Sequence, residues 1–136
     1  MQKLLKLIFL ILLCKMSAAQ QHHFIYIENN NKQWFTVNVN GKVYESIGKN
    51  FIIIPKLNAE IYPLLISTQA VKETKFTISI DSTNKGFSLK QNAENELVLF
   101  DINSFVTIES DAKANAAIEQ KQKENEAKKM VDSIVN

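Results

Sequence analysis

His22 and His23 are the only histidines in the chain. If an export signal is cut before Gln20, His22 becomes the third residue of the product. A free α-amine, two deprotonated backbone amides and an imidazole can then wrap Cu(II) or Ni(II) in a square plane. His22 is therefore a candidate metal ligand, on the condition that cleavage falls at that bond and Gln20 does not cyclise. The plainer reading is a pair of solvated histidines near a terminus. The run Asp81-Ser82-Thr83-Asn84-Lys85-Gly86 has a faint likeness to a calcium loop. Its fifth position needs an oxygen ligand and holds Lys85, so it reads as a turn.

Catalytic chemistry finds little to work with. Ser and Thr hydroxyls are plentiful, but the histidines that would activate one sit at the start of the first strand. Glu94 and Glu96 are two residues apart in a hydrophilic loop, a spacing that reads as solvated carboxylates rather than an acid/base pair. Gly41, Gly48 and Gly86 are isolated, so no phosphate-cradling loop exists. No catalytic residue and no cofactor are expected. The aromatic side chains that could face outward are Tyr26, Trp34, Tyr44 and Tyr62. Trp34 alternates with Phe35, Val37 and Val39, which puts it on the opposite face from them. Trp34 and Tyr44 are the candidate ligand-binding residues, since an exposed ring face is a platform for a sugar or a peptide. The competing reading is a second core layer, because aromatics dominate cores.

Residues 1–19 have the form of a secretory signal. Lys3 and Lys6 supply a basic start, Leu7 to Leu13 an unbroken apolar run, and Ser17-Ala18-Ala19 small residues at the cleavage site. Lys15 arrives too early for a membrane span, which needs about 20 apolar residues. Cys14, the only cysteine, follows Leu13 rather than the small residue that lipoprotein processing wants, and reads as apolar filler. The expected product, 20–136, is periplasmic or extracellular, carries no cysteine, and holds 13 lysines against 14 acids. That balance excludes charge-driven nucleic-acid binding. The complete absence of arginine argues against bidentate recognition of phosphate.

The elements that must position these residues are short and strand-like from Phe24 to Glu109. Phe35, Val37 and Val39 share one face, as do Phe76, Ile78 and Ile80. Asn40-Gly41 between Val39 and Lys42 predicts a two-residue type I′ hairpin. Phe24 to Ile27, Phe51 to Ile54, Leu97 to Phe100 and Phe105 to Ile108 are apolar on both faces, which predicts central or covered strands. Pro63 interrupts Ile61 to Ile66 and predicts an edge strand or a bulge there. The composition changes at Ser110. Ser110 or Asp111 can cap a helix, and Ala127, Met130, Val131 and Ile134 form one short apolar stripe. That tail is either a solvated helix or a docking helix.

The stretch from Gln21 to Ser110 resembles the N-terminal domain of uncharacterised secreted proteins from Bacteroidetes. The matching residues are His23 to Ile27, Lys32 to Phe35, Val37 to Tyr44, Ile53 to Leu57 and Lys75 to Asp81. A looser likeness is to PEGA-type β-sandwich domains. There a V-x-V-N-G-K hairpin, here Val37 to Lys42, precedes an apolar strand, here Phe51 to Leu57, and a Tyr-containing strand, here Ile61 to Ser67. Asn58-Ala59-Glu60 stands where that pattern usually has Gly. The resemblance implies a fold and an envelope location, not an activity.

The expected architecture is all-β: a small antiparallel β-sandwich, Ig-like or PEGA-like, of about seven to nine strands, with a C-terminal helical tail. The expected units are the signal 1–19, the sandwich 20–110 and the tail 111–136. The expected function is a non-catalytic exported interaction module for a protein or a cell-envelope glycan, with no membrane span in the product. A small secreted enzyme and a structural accessory domain for a partner chain are the alternatives.

Overall fold

A computed structural model describes residues 1–4, 6 and 21–135. Cys14, Ser17-Ala18-Ala19 and Gln20, on which the export signal turns, lie outside the described residues. No helix among the described residues is long and apolar enough to cross a membrane.

The described residues form nine strands and a C-terminal helix: β1 (His23–Asn29), β2 (Phe35–Val39), β3 (Lys42–Glu45), β4 (Phe51–Leu57), β5 (Ile61–Thr68), β6 (Thr74–Ser79), β7 (Lys85–Gln91), β8 (Leu97–Asp101), β9 (Thr107–Ile108) and α1 (Asp111–Val135). One sheet runs β4-β1-β7-β8-β9 and the other β3-β2-β5-β6. Along β1, β2, β5 and β6 buried positions alternate with more exposed ones because successive side chains point to opposite faces, whereas β7 and β8 each bury three consecutive residues. Ile25, Ile27, Ile54, Phe87 and Leu99 of the first sheet join Phe35, Val37, Leu64, Ile66 and Phe76 of the second in one core. The result is a sandwich-like, mostly β fold.

The expectation of a wholly antiparallel sandwich is corrected at one ladder. β1 pairs with β7 in parallel, from Ile25↔Lys85 to Asn29↔Leu89. A parallel pair needs a long crossover, and here the excursion through β2 to β6 supplies it. Alternation along β1 is the same for either direction of its neighbour, so the pattern could not distinguish them.

Two further expectations shift. Of the strands with two apolar faces, β1 and β8 are interior, but β4 is an edge strand. Phe105 and Val106 fall in the exposed turn before β9. Pro63 sits in β5, which lies inside its sheet, not at its edge. The proline is tolerated because the edge is local. Thr77, its partner on β6, turns its N–H away to the Asp111 carboxylate. Pro63↔Thr77 is thus a non-hydrogen-bonded pair, and the ring nitrogen faces the β2 side. There β2 has already ended, at Val39↔Leu64. The missing donor leaves no ladder bond unmade.

The Asn40-Gly41 hairpin forms as the sequence predicts. Both residues have positive φ, 51° and 84°, the ladder closes at Val39↔Lys42, and the Asn38 carboxamide oxygen accepts the Gly41 N–H. Helix α1 starts where the composition changes. The Ser110 hydroxyl accepts the Lys113 N–H at 3.4 Å, and no helix side chain is buried. The Asp111 carboxylate reaches back to the N–H and hydroxyl of Thr77 at 2.9 and 2.8 Å. It thereby covers a free donor on the edge strand β6.

Candidate functional site

Trp34 is the last residue before β2, and its period continues that strand's: Phe35 points into the core, while Trp34 is left 45% exposed. Two polar turns fix it. On the first, the Asn29 carboxamide, buried, donates to the Gln33 carbonyl and accepts the Asn31 N–H. The Asn29 carbonyl accepts the Lys32 N–H, and Lys32 takes the left-handed conformation at φ 56°. On the second, the Ser46 hydroxyl, fully buried, accepts the Phe35 N–H at 2.9 Å. The Ser46 N–H returns to the Phe35 carbonyl, and the Ser46 carbonyl accepts the Lys49 N–H. A bond of 2.7 Å from the Asn29 N–H to the Asn50 carbonyl ties the two turns together.

Between these turns lies a shallow depression of about 560 Å³ lined by Lys32, Trp34, Gly48, Lys49 and Asn50. Among the described residues neither Lys32 nor Lys49 has a carboxylate partner. The Lys49 ammonium lies 5.6 Å above the Phe51 ring. The depression is thus lined by one indole and two lysines without a carboxylate partner, on a backbone held by buried polar side chains. Asn29 and Ser46 are the positioning residues that sequence reasoning missed. The Asn-rich turn and Ser46-Ile47-Gly48 were the signals available, and both look like any solvated turn.

Tyr44 is not brought to Trp34. It pairs across from Val37, so it faces the core side, is half-buried and packs against the core cluster. Tyr62 is buried, and its hydroxyl accepts the Asn58 N–H. Tyr26 does face outward. It stacks on Phe51 with centroids 5.7 Å apart, and its hydroxyl donates to Glu28. Burial first, then the Glu28 carboxylate, raises its phenol above the usual tyrosine range.

His23 opens β1 as a buried residue and His22 is exposed beside it. The amine that a His22 metal site would need belongs to Gln20, outside the described residues. No group of three His, Cys, Asp or Glu side chains is placed to hold a metal among the described residues. Asp81 folds onto its own turn, accepting the N–H groups of Ser82 and Thr83. Those backbone bonds, with Lys85 at 3.5 Å, pull its carboxyl down to about 2. Glu94 and Glu96 are drawn together, but onto the Lys113 ammonium at 2.7 and 2.8 Å. Lys113 holds the Glu96 carboxyl below its usual range, and the two glutamates raise the lysine. These acids close a turn and anchor a helix.

No protein-family model matches this chain, and comparison with curated proteins and with solved structures finds no match either.

Proposed function

We propose that the chain is a non-catalytic exported module, periplasmic or extracellular, that binds a protein or a cell-envelope polymer through the Trp34 depression. One observation carries the reading: an indole left nearly half exposed beside backbone that the buried side chains of Asn29 and Ser46 hydrogen-bond. Solvated turns do not require such an arrangement, and binding residues sit disproportionately on loops positioned by a rigid scaffold.

The same reading takes the fold as Ig-like or PEGA-type and kin to the secreted Bacteroidetes domain. It draws support from the Val37 to Lys42 hairpin, the apolar β4 that comes after it, and the Tyr62-bearing β5 beyond. Export rests on Lys3, Lys6, the Leu7 to Leu13 run and Ser17-Ala18-Ala19. The non-catalytic character rests on how the acids are engaged, Glu94 and Glu96 by Lys113 and Asp81 by its own turn.

The test is sedimentation of the parent and of Trp34→Ala with insoluble envelope polysaccharide and with envelope protein fractions. Loss of binding with a melting temperature within a few degrees of the parent supports the reading, and undiminished binding overturns it. Intact-mass analysis of the exported product checks the location. A mass beginning at Gln20 agrees with export, whereas a retained Met1 or an acylated Cys14 contradicts it.

A further inference from the structure

The chemistry of the Trp34 depression goes further than an aromatic platform, provided that the depression is the binding site proposed for it. Three properties of its lining act together. Among the described residues of the lining, the indole is the only aromatic or purely aliphatic side chain. The two cations, Lys32 and Lys49, have no carboxylate partner among the described residues, and the Lys49 ammonium lies over the Phe51 ring. The remaining residues, Gly48 and Asn50, offer backbone polar groups and a carboxamide rather than an apolar pocket.

A docked helix or strand needs several apolar anchors at regular spacing, and this lining has one. A sugar ring needs one flat apolar face to stack on and polar groups for its hydroxyls. A neutral sugar would leave both lysines without an anion, whereas a sugar carboxylate would supply one. Glu28, an acid on the adjoining strand β1, accepts the Tyr26 hydroxyl and makes no ion pair with either lysine. We infer that the depression binds an acidic polysaccharide, with one sugar ring stacked on Trp34 and its carboxylates held between Lys32 and Lys49.

The two cations are lysines, compact point charges without a guanidinium fork, and the depression is open to water. Each pair is therefore weak and screened by salt. Useful attachment would come from repeated engagement along a polymer, which raises avidity without any new contact.

Binding of the protein to three probes separates the terms: polygalacturonate, its fully methyl-esterified form, and polyglutamate. Esterification removes the charge and keeps the ring faces; polyglutamate keeps the charge and has no sugar rings. The expected result is binding to polygalacturonate, about ten-fold weaker binding to the ester, and none to polyglutamate. The Lys32→Gln, Lys49→Gln double variant should bind polygalacturonate no better than the ester, and salt should weaken the parent but not this variant. Trp34→Ala should lose both polysaccharides. Equal binding of acid and ester by the parent overturns the acidic specificity while leaving the tryptophan platform standing. Binding of polyglutamate as tight as polygalacturonate makes the partner an acidic protein and overturns the sugar. Parent-like binding by Trp34→Ala removes the platform itself, and no binding to any probe overturns the acidic-polysaccharide assignment.

Discussion

Asn29 and Ser46 are the side chains on which the geometry of the Trp34 end depends, and both are short, polar and buried. Ser46→Ala leaves the Phe35 N–H without its hydroxyl partner inside the fold. The expected cost is about 1–3 kcal/mol, read as a lowered melting temperature. Trp34→Ala, at a half-exposed position, should cost about 1 kcal/mol or less; a larger loss would make Trp34 a core residue. Asp81 supplies a pH signature. Its folded carboxyl titrates at about 2, below the unfolded value of about 3.9. A depressed acid stabilises above its unfolded pKa, and that contribution disappears as pH falls through the folded one. Asp81→Asn should flatten the stability profile between about pH 4 and 2, and NMR titration of the parent should find the midpoint near the lower value. The exposure of Trp34 was legible because alternation along one strand is local. The burial of Asn29 and Ser46 was not, because it depends on two turns from different parts of the chain closing on each other.

The hairpin between β2 and β3 is the element most fully written in local sequence, since Asn-Gly satisfies two positive φ angles at no steric cost. Gly41→Val puts a β-branched residue at φ 84°. Nothing lies within 4 Å of the added Cβ, so the cost is backbone strain alone, about 1–3 kcal/mol. A variant as stable as the parent would contradict the turn. Pro63 misled for the opposite reason: it is an edge residue only because β2 stops one pair short of it, which β5's own sequence does not reveal. Helix α1 was legible from its composition, but its attachment was not. Asp111 and Lys113 reach Thr77, Lys75, Glu94 and Glu96, while the apolar stripe at Met130, Val131 and Ile134 stays exposed. Truncation after Ser110 should leave a folded sandwich whose melting temperature falls by a few degrees, about 1 kcal/mol or less. Asp111→Ala should reproduce most of that fall, since it alone uncovers the Thr77 donor.

At the scale of the molecule, strand count and core faces followed from periodicity, whereas the strand order did not. Phe87 and Leu89 alternate as an inward face whichever strand lies beside them. Their placement next to β1, in parallel, comes from how the chain crosses between sheets. That ladder has a consequence in time. β1 lies between β4 and β7, and a hydrogen bond from Phe24 to Asn84 spans 60 positions. A chain made from its N-terminus completes β1 first, pairs it with β4 when that strand follows, and leaves the other edge of Phe24 to Ile27 open until β7 is made. Loop closure over that distance precedes any reward from the contacts. Refolding should therefore run in the slow, millisecond-to-second range of sheet proteins, measurable by stopped-flow fluorescence of Trp34. The interval before β7 arrives is when a sticky, open-edged strand is vulnerable to pairing with another nascent copy.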